Sequence, residues 1–247
     1  RELLDETADY LKISGIDEAD ITAWYLMMHA LLLTGIEVRD RSFLYAHESD
    51  EPSPGMINKL KIFTDRRALG EPLEYITGQT EFMGFRVFTD ERALIPRQDT
   101  EILAEQVLKF CEKKTVIDMC TGTGCIAVAL SLFGGCENVT ATDISDDALE
   151  LAKKNALEND AKIEFIKSDI WADVKGKYDI VVANPPYIKS EVLPTLQREV
   201  RDYEPQMALD GGKDGLDFYR RIVLGLSDHL ETGGRIFFEI GYDQADE

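Results

Sequence analysis

The stretch Val181-Val182-Ala183-Asn184-Pro185-Pro186-Tyr187-Ile188 combines residue types that can hold a planar amino group. The β-formers from Tyr178 to Ala183 read as a buried strand, stopped by a polar residue, two prolines and an aromatic. Proline fixes φ and has no N–H, so neither Pro185 nor Pro186 can continue a ladder. Each also pushes the residue before it into extended backbone. The expected product is a stiff strand end that presents the Asn184 side chain and the backbone carbonyls of Asn184 and Pro185. Two acceptors held side by side suit the two hydrogens of an –NH2 group, and the Tyr187 ring can flank its plane. A proline-rich turn led by an asparagine is also common in ordinary loops. The chemistry therefore needs support elsewhere in the chain.

That support comes from Asp118-Met119-Cys120-Thr121-Gly122-Thr123-Gly124, between an expected strand, Thr115 to Met119, and an apolar helix, Ile126 to Phe133. Gly122 and Gly124 allow close approach to the backbone, and a helix start offers free N–H groups. A pyrophosphate would use that end, but the usual G-x-G-x-x-G spacing is departed from: Ala127 at its last position is tolerated, while Cys120 stands oddly in the first glycine's place. Asp118 is a poor neighbour for phosphate and suits a cationic ligand, an amino group or a sulfonium. Asp143, 19 residues after Gly124, is placed to accept two ribose hydroxyls. Asp169 and Trp171 can bind and cover an adenine. Acid, glycines, ribose acid and adenine platform together describe S-adenosylmethionine.

The elements that must position these residues alternate strand and helix from Thr115 onward: Val139 to Thr142, a helix Ala148 to Leu157 capped by Ser145 or Asp146, Ile163 to Ile166, Tyr178 to Ala183, a helix Leu216 to Leu230, and Arg235 to Ile240. This pattern predicts an α/β domain with a parallel sheet, whose ligands sit beyond the carboxyl ends of the strands. The first 70 or so residues read as helices: one carrying Leu3, Leu4, Ala8 and Leu11, one over Ile21 to Leu33 capped by Asp20 and ended by Gly35, one over Pro54 to Leu69. Trp24 and His29 are expected in their core. Between the parts, Phe82 to Phe88 alternates as a strand, with Asp90-Glu91 as the turn into a second strand, Ala93 to Ile95. Asp99 or Thr100 is expected to cap the next helix, and Arg97 to pair with a carboxylate. The division expected is 1–73 for a helical recognition domain, 74–96 for a β-hairpin linker and 97–247 for the α/β domain.

Composition sets the outer limits. The 247 residues suit one to two domains. A net charge of −20, from 47 acidic and 27 basic residues, repels phosphate backbones, so no direct nucleic-acid binding is expected. Cys111, Cys120, Cys125 and Cys136 form no C-x-x-C, and His29, His47 and His229 lie far apart, so no metal site is expected. Reduced thiols point to the cytoplasm. No signal peptide is apparent, and Ile21 to Leu33 is too short to span a bilayer. The chain opens on Arg1 and stops just past the fifth strand, so its natural start is expected to be absent and its final strands missing.

Over nearly its whole length the chain resembles the bacterial peptide-chain-release-factor glutamine N5-methyltransferases, the HemK/PrmC family. The resemblance is carried by Tyr75-Ile76-Thr77-Gly78, Phe82, Gly84, Ile95-Pro96-Arg97, Asp99-Thr100-Glu101, Thr121-Gly122-Thr123-Gly124, Asn184-Pro185-Pro186-Tyr187-Ile188, Glu204-Pro205, Asp214-Gly215-Leu216 and Glu239-Ile240-Gly241. It implies a helical N-terminal domain, a hairpin linker and a seven-stranded class I methyltransferase domain with a Rossmann-like parallel sheet. It implies S-adenosyl-L-methionine as cofactor, S-adenosyl-L-homocysteine as product, and the glutamine of the Gly-Gly-Gln loop in class I peptide chain release factors as substrate. Carried over by position, the cofactor contacts are Asp118, Met119, Cys120, Thr121, Gly122, Asp143, Trp171 and Asn184, to which the reading of the strand ends adds Asp169. The substrate loop is Asn184 to Tyr187, with Asn184, Pro185 and Tyr187 catalytic. Cys120 departs from the glycine that many relatives carry, and the substitution is expected to be tolerated.

Three rivals stay in view: the related glutamine methyltransferase of a ribosomal protein, an adenine-N6 DNA methyltransferase with a similar Asn-Pro-Pro-Tyr corner, and a non-catalytic cofactor-binding adaptor. The Pro96 to Glu101 segment favours the release-factor branch. The strong negative charge and lack of a basic recognition segment disfavour DNA. A monomer is expected.

Overall fold

Apolar spacing makes helices of the first part of the chain. The computed structural model describes residues 1–36, 38, 41–47 and 50–245, and it divides into two compact units, Arg1–Gly78 and Gln79–Glu247. The first holds α1 (Glu2–Ile13), α2 (Ala19–Leu32), α3 (Arg41–Ala46), α4 (Pro54–Ala68) and α5 (Leu73–Thr77). In α2 the buried positions are Ala19, Thr22, Ala23, Leu26, Met27, Ala30 and Leu31, the spacing of one helical face. Leu26 packs with Leu11 and Leu60 in the core of this unit. α4 starts on Ser53, whose Oγ accepts from the Met56 N–H at 3.2 Å, with Pro54 in the first turn. His29 packs its ring on Phe63, with centroids 5.0 Å apart, as expected of a core residue. Asp20, expected as a cap, is not one. The position before α2 is Glu18, and Asp20 turns outward to accept from Lys12 Nζ at 2.8 Å.

The second unit opens with an antiparallel hairpin of β1 (Gln79–Phe82) and β2 (Phe85–Phe88). This corrects the expected strand pairing: the turn is Met83-Gly84, both with positive φ, not Asp90-Glu91, and Ala93 to Ile95 is not a strand. Two residues in the left-handed region form the tight connection that matches strand twist. The unit continues with α6 (Gln98–Leu108), β3 (Thr115–Met119), α7 (Cys125–Phe133), β4 (Asn138–Asp143), α8 (Asp146–Glu158), β5 (Glu164–Lys167), β6 (Tyr178–Ala183), α9 (Arg198–Tyr203), α10 (Asp217–His229) and β7 (Leu230–Phe238). Ser145 caps α8, accepting from the Ala148 N–H at 3.2 Å.

The sheet runs β5-β4-β3-β6-β7 with every pair parallel. The chain leaves β3 in one direction and returns to its other side at β6. Such a reversal opens a crevice at the carboxyl ends of the strands. β3 and β6 are apolar along nearly their whole length because both faces are covered. Val116, Ile180 and Val182 pack on one side with α7, and Ile117, Met119, Val181 and Ala183 on the other with Ile222 of α10.

Asn155 of α8 ties the hairpin to the sheet. It is wholly buried; its Oδ1 accepts from the Phe88 N–H at 2.7 Å, and its Nδ2 donates to the Phe88 carbonyl at 3.1 Å and the Thr123 carbonyl at 2.9 Å. Asn155→Ala strands three backbone groups, the Thr123 carbonyl buried and the two of Phe88 partly so, at up to ~1–3 kcal/mol each. Urea denaturation should show a loss of several kcal/mol with an unchanged m-value; a loss within experimental error would mean that these bonds are dispensable.

Candidate functional site

β3, β4, β6 and β7 end side by side, and each delivers a polar residue there. β3 runs into the glycine turn, in which Cys120, Gly122 and Gly124 have φ of 57, 54 and 79°. This left-handed region favours glycine, so the backbone asks of Cys120 what a glycine would give more cheaply. A Cβ on Gly124 would stand 3.0 Å from the Ala152 Cβ, so the turn can sit this close to α8 only with glycine there. β4 ends at Asp143. Its Oδ2 accepts from the Gly122 N–H and its Oδ1 from the Ser145 N–H, both at 3.0 Å. Burial raises its pKa, and the backbone donors oppose the rise.

Asp118 and Met119, expected at the ligand, have no exposed surface and lie inside the sheet beneath the turn. The Asp118 Oδ2 accepts from the Thr121 hydroxyl at 2.5 Å, and the Ala127 backbone N–H also favours the charged form. Burial pushes the Asp118 pKa up to about 7. Burial also raises the Cys120 thiol, followed by the Asp143 and Asp118 carboxylates beside it. The expected adenine platform is also differently placed. Trp171 lies stacked on His229, with centroids 4.5 Å apart, its Nε1 donating to the Ile222 carbonyl at 2.9 Å and its edge against Gly225. Packing against α10 therefore claims the indole. Asp169 is half-exposed and paired with Arg221 at 2.6 Å.

β6 ends in the proline corner. Pro185 and Pro186 are buried; Asn184 and Tyr187 are partly exposed. The loop after α9 holds the corner by its backbone, through Ile188 N–H to the Leu209 carbonyl at 3.0 Å and Gly211 N–H to the Ile188 carbonyl at 2.8 Å. A Cβ on Gly211 would lie 2.7 Å from the Tyr187 Cα, and one on Gly215 would lie 2.4 Å from the Tyr187 carbonyl oxygen. Gln244 Nε2 donates to that same oxygen at 3.1 Å.

The site also holds residues to which sequence reasoning gave no part in binding or catalysis. Glu239 follows β7 directly and is anchored by its own backbone. Its N–H donates to the Ala183 carbonyl at 3.1 Å, and Tyr219 Oη donates to its carbonyl at 2.7 Å. Its carboxylate accepts from Thr100 Oγ1 at 2.7 Å and stands 3.4 Å from Tyr187 Oη. Thr100 Oγ1 in turn accepts from Asn184 Nδ2 at 3.2 Å. Thr100 is therefore not the cap of α6, and nor is Asp99; the position before the helix is Arg97, with no side-chain bond to it. Burial raises the Glu239 pKa against the hydrogen bonds of Thr100, Tyr187 and Asn184, and burial and Glu239 push Tyr187 up to about 12. Arg97 finds its expected carboxylate in the buried Glu204, which also accepts from the Ile95 N–H at 3.2 Å. A register count along neighbouring strand ends would have found Glu239. Nothing in the spacing points to Thr100, 84 positions from Asn184.

A parallel sheet with a topological switch, a glycine turn and acidic strand ends defines an α/β nucleotide-binding fold of the methyltransferase kind. Residues 96–200 match the methyltransferase small domain, and residues 2–78 match the PrmC N-terminal domain. The chain is 38% identical to the release factor glutamine methyltransferase of Geobacter sulfurreducens, over 100% of this chain and 85% of that one. It is 40% identical to the release factor glutamine methyltransferase of Moorella thermoacetica, over 99% and 86%. A methyltransferase structure from Pyrococcus furiosus shares the fold, with TM-score 0.51 and 21% identity over 66% of this chain and 72% of that one. The chain belongs to the release factor glutamine methyltransferase family.

The buried carboxyl beneath the turn has a measurable signature. Asp118 holds its proton up to about 7 when folded, against 3.8 for the free group. In that interval the folded state binds more protons than the unfolded one, so stability falls as pH rises. Asp118→Asn stays neutral throughout. The stability of Asp118→Asn relative to wild type should climb between about pH 4 and 7 and level off above. Parallel pH–stability curves for the two would show that Asp118 is ionised in the fold.

Proposed function

We propose that this protein transfers a methyl group from S-adenosyl-L-methionine to the side-chain N5 of the glutamine in the Gly-Gly-Gln loop of class I release factors. The observation that carries the reading is the rigid corner Asn184 to Tyr187, set beside the glycine turn in a chain of this family. The cofactor fits the charge of the site. Asp143, at the end of β4, is desolvated and has no ion pair among the described residues. Such a pocket disfavours a pyrophosphate and favours a positively charged ligand. Cys120, Thr121 and Gly122 would line it. Asp143 spends one lone pair of each oxygen on a backbone N–H and keeps others for ribose hydroxyls. When bound, S-adenosylmethionine supplies an electrophilic methyl group and leaves as S-adenosylhomocysteine.

The chain's own task is to orient a poor nucleophile, since an amide lone pair is delocalised into its carbonyl. Asn184 Oδ1 and the Pro185 carbonyl accept the two amide hydrogens and fix the nitrogen in line for attack. These bonds strengthen as positive charge develops on nitrogen, which favours the transition state over the ground state. Tyr187, held neutral by its raised pKa, flanks the amide plane and moves no proton. The methylated nitrogen is acidic enough to lose its proton to water. Among its described residues the helical unit Arg1–Gly78 carries no such constellation, and it serves substrate recognition. The free thiols Cys111, Cys120, Cys125 and Cys136 fit a cytoplasmic workplace.

Incubation of the enzyme with labelled cofactor and a purified release factor should place one methyl group on the loop glutamine, mapped by mass spectrometry. A label on DNA oligonucleotides or on ribosomal protein instead would overturn the assignment. Asn184→Ala should slow single-turnover methylation by about 10²–10³ at saturating cofactor. Turnover within a few-fold of wild type would reduce the corner to a structural turn. Asp143→Ala should weaken cofactor binding by ~1.5–3 kcal/mol for each charged hydrogen bond lost. Calorimetry with unchanged affinity, on protein whose melting confirms folding, would remove Asp143 from the site.

A further inference from the structure

An asparagine side chain can point its oxygen or its NH2 at a substrate, and the two orientations are opposite in function. An Oδ1 facing an incoming –NH2 accepts from it; an Nδ2 in the same place meets donor with donor. What fixes the orientation is the partner on the far side of the amide. Here that partner is Thr100, whose Oγ1 lies 3.2 Å from Asn184 Nδ2 and 2.7 Å from Glu239 Oε2. The single hydroxyl hydrogen of Thr100 is given to Glu239 Oε2. Thr100 can then only accept from Asn184, and only the NH2 end of the amide can supply a hydrogen. Tyr187 Oη points at the other oxygen of the same carboxylate from 3.4 Å, so Glu239 ties together both polar residues of the corner.

Glu239 is itself well placed to act as an anchor. It stands one residue past the strand pair Ala183–Phe238, its backbone is held at both N–H and carbonyl, and its side chain is partly buried. A carboxylate on a floppy loop could not impose an orientation on Asn184. One locked to the adjoining strand can.

We propose that Glu239 and Thr100 are positioning residues that set the direction of the Asn184 amide, turning its oxygen toward the substrate amino group. The proposal rests on the reading of Asn184 as the residue that orients the substrate glutamine. Direction passes from the carboxylate to the amide both through the Thr100 hydroxyl and by the hydrogen bond that Asn184 makes to Glu239 itself, and on either path only the NH2 end of Asn184 has a hydrogen to give. A bare acceptor at Asn184 would need no such chain. A two-ended amide does.

The test compares Thr100→Val, which keeps the shape and removes the hydroxyl, with Thr100→Ser, which restores it. Thr100→Val should lower kcat for release-factor methylation about 10–100-fold, as loss of an outer partner does around metal ligands. KM and cofactor affinity should change by no more than about two-fold, and Thr100→Ser should recover most of the rate. In the Asn184→Ala background, Thr100→Val should cost nothing further, because the residue through which it acts is gone. Thr100→Val at wild-type kcat, or the same loss with and without Asn184, would sink the proposal and leave Thr100 a packing residue. A second readout is independent of activity. The Asn184 side-chain NH2 protons, followed by 15N NMR, should exchange slowly in wild type and rapidly in Thr100→Val and Glu239→Gln. Rapid exchange in wild type would overturn the proposal even if every kinetic expectation held. A wild-type enzyme that leaves the release factor unmethylated but shows protected Asn184 protons would overturn the activity reading alone.

Discussion

The register of β6 between its two neighbours is the constraint on which the site depends. Ala183 pairs with Met119 of β3 on one side and Phe238 of β7 on the other. One residue further along each strand lie Cys120, Asn184 and Glu239. Parallel pairing thus brings three residues widely separated in sequence to one level, and side-chain attraction plays no part in choosing them. A one-residue slip of β6 would send Asn184 to the opposite face. The slip is resisted because Ile180 and Val182 fill one core and Val181 and Ala183 the other, with both cores closed to water. Burying apolar area at roughly 25 cal/mol per Å² makes that the larger energy by far. The polar corner is carried along with it.

Electrostatics adds a second layer. Burial raises the pKa of Asp118, Asp143 and Glu239, all near the carboxyl ends of parallel strands. Each is partly compensated by hydrogen bonds from Thr121, from backbone N–H groups, or from Thr100 and Tyr187. None of these three has a salt bridge among the described ion pairs, whereas the buried Glu204 is matched by Arg97 and Asp169 by Arg221. The buried acids with no ion pair among the described residues are those at the glycine turn and the corner. A cation arriving there gains charge complementarity, while a phosphate loses it. The overall charge of −20 reinforces the same preference at longer range.

Much of this could be read from sequence, and the parts that could not share a cause. β3 and β6 were legible to the residue because central parallel strands are apolar runs bounded by breakers. Asn184 and Asp143 were legible because they sit where such runs stop. The hairpin was placed several residues too late, since Phe82 to Phe88 alternates as one strand would and only the positive φ at Met83 and Gly84 divides it. Thr100 carried the local signature of a helix cap but was drawn off by Glu239, 139 residues away. Trp171 looked like a free aromatic platform, yet Gly225 of α10 leaves a space that the indole fills. In each case a long-range partner outcompeted the local preference. Local pattern holds no record of that partner.

The corner shows why its motif alone is not enough to make the site. Pro185 and Pro186 stiffen the backbone locally, but they do not fix where the next residue goes. That is done from outside, by a loop threaded beneath it. Gly211 and Gly215 come so close to Tyr187 that any Cβ would collide with its backbone, and Gln244 occupies its carbonyl. Glycine at these positions is a demand of contact distance: a side chain on Gly211 would have to move the Tyr187 backbone by the better part of an ångström or more. A shift of 1 Å in a positioning group is enough to cost about a hundred-fold in rate. The rigidity of Asn184-Pro185-Pro186-Tyr187 is therefore shared between the motif and a segment more than twenty residues downstream, with Asn184 directed from one side by Thr100 and Glu239, and Tyr187 backed from the other by Gly211 and Gly215.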